Sequence, residues 1–205
     1  MCYNQNVWIA RHGNRLDFVN PEWFNTAKRR YDPPLSEDGI IQAKQLAKRL
    51  QFEKINHIFA SPFLRTIQTA HQIAETLNLD IKLESGLGEW HNREWMSEHP
   101  QIHPRELLEL DYPRINWNYS SYLIPNYPET ETRMMSRIGT TIKQLITNYS
   151  EDILLVGHSV SVLAITQELI KGNPTVNTSL CSLVKLVRYE NNWQMELNGD
   201  TSHLK

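Results

Sequence analysis

Short apolar runs alternate with amphipathic segments along much of the chain, and this alternation constrains the fold more than any other feature. The runs VWIA, HIFAS, DIKL and ILLVG favour buried strands. Segments with helical periodicity follow them, at residues 36–50, 61–77, 131–149 and 160–172. The pattern predicts an α/β fold with a mostly parallel central sheet and helices on both faces.

Local signals mark where several of these elements begin and end. Ser36 and Ser61 are placed to cap helices, and Pro62 fits the first helical position, which puts Arg65 in the first turn. Gly172 closes the last helix. The runs SLVKLVRYE and NWQMELN predict two antiparallel strands joined at Asn191-Asn192, near one edge of the sheet.

Length and composition favour one domain over residues 1–205, with irregular insertions at about 14–34 and 91–128. A net charge of -2 argues against a nucleic-acid or anionic-membrane surface. Cys2 and Cys181 support neither a disulfide framework nor a cysteine-based metal site. No secretory signal is evident at the N-terminus, so a cytoplasmic location is expected.

Polar clusters follow the predicted strands. Arg11-His12, Ser61–Arg65, Glu89 and His158 each lie just beyond such a run. In open α/β sheets ligands bind beyond the carboxyl ends of the strands, so we expect these segments to meet at one rim.

The residue types at this rim suit phosphoryl transfer. The guanidinium groups of Arg11, Arg15 and Arg65 match phosphate oxygens. His12 is placed to attack phosphorus through one ring nitrogen, and His158 to donate a hydrogen bond to the transferred group. Glu89 is the best candidate for the general acid, although Glu84, Glu94 and Glu98 lie nearby in sequence. Taken singly, each of these residues also has an ordinary structural interpretation.

The remaining histidines lack such a context. His91, His99 and His103 are expected at the surface of an irregular stretch, and no metal site or cofactor is predicted. Most aromatic residues of the two insertions are expected to form a small core of their own. Phe24 and Trp90 are hypothesised instead to form an apolar wall beside the phosphate site, favouring bulky or aromatic esters.

Four segments in order, RHG, SPFLRTIQTA, GLGEW and VGHS, resemble the histidine phosphatase superfamily, also called phosphoglycerate mutase-like. The resemblance extends from Val7 to about Ile170. It implies a phosphohistidine on His12, a phosphate pocket of Arg11, Arg15, Arg65 and His158, and Glu89 as proton donor, without a metal. Asn14, directly after RHG, joins the candidate substrate-binding residues.

Within the superfamily the continuation RHGNRLDF and the pair Glu89-Trp90 resemble the phosphatase domain of the ubiquitin-associated and SH3-containing (Sts/TULA) type. Phosphoglycerate mutases usually continue as RHGES. The predicted function is a metal-independent phosphomonoesterase acting on a phosphorylated small molecule or phosphopeptide. A mutase and a non-catalytic phosphate-binding module are the alternatives, and formation of a homodimer is left open.

Overall fold

A computed structural model describes residues 4–190 and 192–205, and Cys2 and Asn191 therefore lie outside the described residues. The six strands are β1 (Asn6–Arg11), β2 (His57–Ala60), β3 (Ile81–Leu83), β4 (Ile153–Gly157), β5 (Leu183–Tyr189) and β6 (Asn192–Asp200). The helices are α1 (Leu16–Val19), α2 (Trp23–Thr26), α3 (Glu37–Leu50), α4 (Leu64–Leu77), α5 (Arg105–Asp111), α6 (Glu131–Asn148) and α7 (Ser159–Leu169), with one 3₁₀ turn at Ser85–Leu87.

All six strands form one sheet in the order β3-β2-β4-β1-β5-β6. The pairs β3-β2, β2-β4 and β4-β1 are parallel, whereas β5 pairs antiparallel with β1 and with β6. The predicted α/β class, mostly parallel sheet and antiparallel C-terminal edge are confirmed.

Helices cover both faces of the sheet. On one face, α3 and α4 pack on a buried cluster that includes Leu46, Ile58 and Leu154. On the other face, α6 and α7 pack on a cluster that includes Phe59, Ile138 and Leu155. Because successive side chains of a strand point to opposite faces, Ile58 belongs to the first cluster and Phe59 to the second. This layering keeps the strands rigid and leaves their carboxyl ends free to present side chains.

Of the two predicted helix N-caps, one is confirmed and one is wrong. The Ser36 side chain accepts a hydrogen bond from Gly39 N at 3.2 Å, which confirms that cap. Ser61, however, is not the cap of α4, which begins after Phe63. A distant residue takes that role, because Asp32 Oδ1 accepts the Leu64 N–H at 2.7 Å.

The last helix ends earlier than predicted. The helix α7 stops at Leu169, and Gly172 lies beyond it with a positive φ of 91°. The chain needs a left-handed residue in the following turn rather than at the helix terminus, and glycine adopts that conformation without steric cost.

The two irregular stretches contain short helices and pack on the regular elements. Residues 14–34 form α1 and α2, and residues 91–128 contain α5. A third buried cluster joins Leu108 and Ile115 of the second stretch to Ile67 of α4, with Tyr112 and Trp117 packed against it. The expected aromatic core is not formed: the buried members of this cluster are aliphatic, and Phe24, Trp95 and Tyr122 are exposed. No helix formed by the described residues has the length and apolar character needed to cross a membrane.

Candidate active site

The register of the parallel strands brings the predicted rim together. Arg11 at the end of β1 pairs with Gly157 at the end of β4, and Ala60 of β2 pairs with Val156. His12, Ser61 and His158 are the next residues of their strands, so they leave the sheet side by side. The rings of His12 and His158 lie edge to face, with centroids 5.4 Å apart.

His12 is buried, with 1% of its surface exposed. Its Nδ1 lies 2.7 Å from Gly13 O, and because a carbonyl oxygen only accepts, Nδ1 carries the hydrogen. The lone pair of the neutral ring is then on Nε2. Burial, followed by the charge of Arg65, holds the pKa of His12 well below its ordinary value. The ring is therefore uncharged, and its tautomer is fixed.

The second histidine, His158, is held from both sides. Its Nε2 lies 2.8 Å from Ser61 Oγ, and its Nδ1 lies 3.3 Å from Glu89 Oε2. The Arg65 guanidinium also lies 3.2 Å from Nδ1 and can only donate, so the ring hydrogen lies on Nε2 when Nδ1 accepts from Arg65, and on Nδ1 when it is donated to Glu89. Burial and the charge of Arg65 lower the pKa of His158 well below its ordinary value. The ring is thus uncharged and lies beside His12.

Arg65 links the second histidine to the carboxylate. It lies in the first turn of α4 with 1% exposure, and its Nη2 is 3.2 Å from His158 Nδ1 and 3.4 Å from Glu89 Oε2. Burial lowers the pKa of Arg65 to about 10, which leaves it charged at neutral pH. The guanidinium also lies over the Phe63 ring, with its carbon 4.6 Å from the ring centroid.

The other two arginines are oriented by the protein. Arg11 Nη1 donates to Thr178 O at 2.7 Å. Arg15 Nε donates to Asp17 Oδ1 at 2.8 Å, and its guanidinium carbon lies 4.4 Å from the centroid of the Phe18 ring. Among the described residues, the buried Nε atoms of Arg11 and Arg65 have no hydrogen-bond partner. The site therefore offers more donors than the surrounding protein accepts, which suits an oxyanion.

Glu89 is the nearby carboxylate that reaches this cluster. The alternative Glu84 is fully buried and accepts hydrogen bonds from the Tyr119 hydroxyl at 2.6 Å and from Tyr122 N at 3.0 Å. The other two carboxylates, Glu94 and Glu98, are exposed. Of the four candidates, only Glu89 contacts both Arg65 and His158.

A cleft of about 210 Å³, partly open to solvent, leads to the cluster. Its walls are formed by Arg15, Phe24, Tyr31, Arg65, Glu89, Trp95 and Met96. The sequence places Phe24 correctly on this wall but not Trp90. The Trp90 indole N–H donates to Glu129 O at 2.9 Å, and its ring packs against Trp95 at 5.1 Å between centroids. Trp95 therefore takes the wall position.

Asn14 is also placed differently from the expectation. Its side-chain amide donates to Asp38 Oδ2 at 2.8 Å, and its backbone carbonyl accepts from Ser36 N at 3.0 Å. These contacts fasten the segment after His12 to the start of α3, so Asn14 holds the loop rather than lining the cleft. The approach is close, since a Cβ on Gly39 would lie 2.1 Å from Asn14 O.

The histidines outside the site are not all at the surface. His91 is buried, with its ring centroid 6.3 Å from that of Phe63 and 5.4 Å from that of His99. His103 Nδ1 lies 2.7 Å from the buried Asp32 carboxylate. Within residues 4–190 and 192–205, no three His, Cys, Asp or Glu side chains are grouped as metal ligands.

Sequence reasoning missed several residues that shape the site. Ser61 orients His158, Asp17 orients Arg15, and Tyr31, Trp95 and Met96 line the cleft. Asp17 had a local signal, since it lies two residues from Arg15. Ser61 and Tyr31 contact the site through partners more than 30 residues away in sequence, His158 and Arg65, which no local pattern reports.

A mostly parallel sheet that presents two neutral histidines, three arginines and a carboxylate at one edge defines a phosphoryl-transfer type of site. The comparison with known families agrees with this class. Residues 7–201 match the model of the histidine phosphatase superfamily (branch 1), and the chain belongs to that family. The family predicted from the four sequence motifs is confirmed.

Two curated relatives are longer proteins that contain a region similar to this chain. The transcription factor tau 55 kDa subunit of Saccharomyces cerevisiae is 34% identical over 176 residues, covering 80% of this chain and 40% of that protein. The ubiquitin-associated and SH3 domain-containing protein A of Mus musculus is 26% identical over 226 residues, covering 89% of this chain and 36% of that protein. The chain thus spans well under half the length of these relatives.

Among solved structures, the ecdysone phosphate phosphatase of Bombyx mori in complex with tungstate superposes with a TM-score of 0.81. It is 20% identical, and the match covers 97% of this chain and 94% of that one. At this identity the similarity establishes the fold.

Proposed function

We propose that this chain is a metal-independent phosphomonoesterase that forms a phosphohistidine on His12. The observation that carries the proposal is the tautomer of His12, whose Nδ1 donates to Gly13 O and leaves the Nε2 lone pair free beside Arg65 and His158. A fixed, uncharged imidazole is the form of histidine that attacks phosphorus.

The reaction proceeds in two displacements. First, His12 Nε2 forms a bond to phosphorus while the ester P–O bond breaks, and Glu89 passes a proton to the departing oxygen. Arg65, Arg11 and Arg15, with His158, stabilise the charge on the equatorial oxygens. Then the Glu89 carboxylate takes a proton from water, the water oxygen attacks phosphorus, and the N–P bond breaks. Inorganic phosphate leaves, and His12 is again neutral.

The cleft supports a preference for bulky or aromatic esters. Phe24, Tyr31, Trp95 and Met96 give the leaving group an apolar surface next to the arginines. Stacking on such rings adds about 0.5–1.5 kcal/mol per contact beyond burial of area. We propose that aryl phosphates have higher kcat/KM than small polar phosphates. The substrate class that we propose is a phosphorylated small molecule or a phosphopeptide. A cytoplasmic location and a homodimer stay predictions.

The test is phosphate release from an aryl phosphate near neutral pH in the presence of EDTA, with the parent and the His12→Ala variant in parallel. We expect release that survives chelation in the parent and falls by at least about 10⁴-fold in the variant. Quenching in alkaline denaturant should trap a phosphorylated parent whose label is acid-labile and base-stable. Turnover that is lost on chelation, or unchanged in the variant, would refute the proposal.

Two alternatives have distinct outcomes in the same assay. A mutase would return the phosphoryl group to a bound acceptor in a bisphosphate-dependent reaction. A binding module would hold phosphate esters intact. The name of the yeast relative, a transcription factor subunit, is the observation that supports this alternative. Binding without release across several esters would favour it.

A further inference from the structure

Arg137 on α6 is buried, with 7% exposure, and uses every one of its N–H groups. Nε and Nη2 donate to the two carboxylate oxygens of Glu129 at 2.7 and 2.8 Å. Nη1 donates to Gly86 O at 2.8 Å and Gly88 O at 3.2 Å, and Nη2 donates to Glu89 O at 3.2 Å. Five donors therefore meet five acceptors, three of them in the segment that carries the proposed acid.

That segment has little other structure. Beyond the 3₁₀ turn at Ser85–Leu87, the chain runs to Trp90 with no helix or strand. Besides Arg137, Ser161 Oγ donates to Leu87 O, Ser121 Oγ accepts from Ser85 N and the Glu84 carboxylate accepts from Gly86 N, each at 2.8 Å. The Glu89 carboxylate also accepts from Trp90 N at 3.1 Å. The hydrogen bond to Glu89 O thus fixes the backbone of Glu89 itself.

Glu129 holds the other side of the same segment. Its N–H donates to His91 O at 2.9 Å, and its carbonyl accepts the indole N–H of Trp90 at 2.9 Å. The Arg137–Glu129 pair is therefore bonded to residues on both sides of the Glu89 side chain. A buried pair of this kind costs desolvation, so its value lies in the geometry that it imposes.

We propose that Arg137 is a positioning residue for proton transfer by Glu89. The proposal rests on the proposed function, because it needs Glu89 to protonate the leaving oxygen. Lysine would keep the charge opposite Glu129, but its single ammonium cannot span the carboxylate and three carbonyls that the planar guanidinium bridges. The Arg137→Lys variant would then let the Glu89 carboxylate drift relative to His158 and Arg65.

The experiment compares kcat/KM for p-nitrophenyl phosphate and 2-phenylethyl phosphate, two esters of similar bulk. The nitrophenolate leaves without help, whereas the alkoxide needs a proton in the transition state. Because kcat/KM reports the first displacement, later hydrolysis of the phosphohistidine does not mask the difference. Glu89→Gln provides the reference, with a loss of about 10²–10⁴-fold for the alkyl ester and much less for the aryl ester.

We expect Arg137→Lys to lower kcat/KM for the alkyl ester by about 10²-fold and for the aryl ester by severalfold or less. Arg133→Lys, the same substitution at an exposed position of the same helix, should leave both values unchanged. A loss that is equal for both esters, or no loss, would overturn the positioning role. Should Arg137→Lys fail to fold, Glu129→Gln is judged on the same ratio of the two esters.

The reference variant separates this proposal from the function beneath it. If Glu89→Gln lowers kcat/KM equally for both esters, Glu89 is not the acid, and the proposed mechanism fails together with the positioning role. If Glu89→Gln discriminates between the esters and Arg137→Lys does not, only the positioning role fails.

Discussion

The pocket at the strand ends and the cleft above it differ in how they are built. His12, Arg65 and His158 are at most 1% exposed, and each is held by hydrogen bonds of defined geometry. On the cleft wall, by contrast, the Phe24 side chain is 45% exposed and that of Trp95 57%. The pocket rests on strands and a long helix, whereas the cleft rests on two irregular stretches. A rigid pocket suits the shared chemistry, and a looser wall suits the choice of leaving group.

The largest effect should come from weakening the pocket. Arg65→Lys removes a fork of donors from a fully buried position, and a lysine cannot contact Glu89, His158 and a phosphate in the same geometry. We expect kcat/KM to fall by about 10³-fold for aryl and alkyl phosphates alike. Steady-state kinetics on both esters checks this, with Arg49→Lys at a surface pair with Glu53 as the control. A loss confined to one ester would move Arg65 from the chemistry to leaving-group selection.

The next prediction concerns the residue that ties the cleft to the pocket. Asp32 is fully buried and accepts from Leu64 N, His103 N and His103 Nδ1, at 2.7, 3.1 and 2.7 Å. Its removal leaves these donors unpaired, so Asp32→Ala should cost about 2 kcal/mol of unfolding free energy.

Chemical denaturation measures this loss, and a scan should show the melting temperature lower by about 4–8 °C. Asp111→Ala, which removes an exposed carboxylate at the end of α5, is the matched control. If Asp32→Ala were as stable as the parent, the two irregular stretches would be fastened to α4 by other contacts.

Sequence reasoning succeeded for the pocket for the same reason that the pocket is rigid. His12 and His158 each follow an apolar strand directly, and Arg65 lies one turn into a helix, so chain direction alone places them at the same edge. The family motifs carried the assignment of Glu89, which local sequence left among four carboxylates.

The same reasoning failed wherever a side chain had to choose between a local and a distant partner. Ser61 fits a helix cap by position, yet its hydroxyl bonds His158, and the distant Asp32 caps α4 instead. Trp90 and Trp95 are both aromatic residues of one loop. The Trp90 indole N–H donates to Glu129 O, an acceptor 39 residues away, and this hydrogen bond holds the Trp90 ring outside the cleft.

The cleft wall should respond to mutation in a way that the pocket does not. Trp95→Ala removes an exposed ring beside Arg65 and Glu89 without touching the histidines. We expect kcat/KM for aryl phosphates to fall by about tenfold and that for small polar phosphates to stay within about twofold. Phe52→Ala, which removes an exposed ring elsewhere, should change neither value. An equal loss for both substrate classes would mean that the wall supports the catalytic geometry itself.

The smallest predicted effect tests where the rigid region ends. His91 is buried against Phe63, and burial together with the charge of Arg137 lowers its pKa to about 4. The unfolded chain binds this proton near pH 6.5. Between these values the unfolded state holds more protons than the folded state, so the free energy of unfolding falls as the pH drops. His91→Leu should reduce the loss between pH 6.5 and 5 by about 1 kcal/mol, measured by urea denaturation at both pH values. An unchanged loss would show that the segment around His91 opens to water before the domain unfolds, and the rigid region would then stop at Phe63.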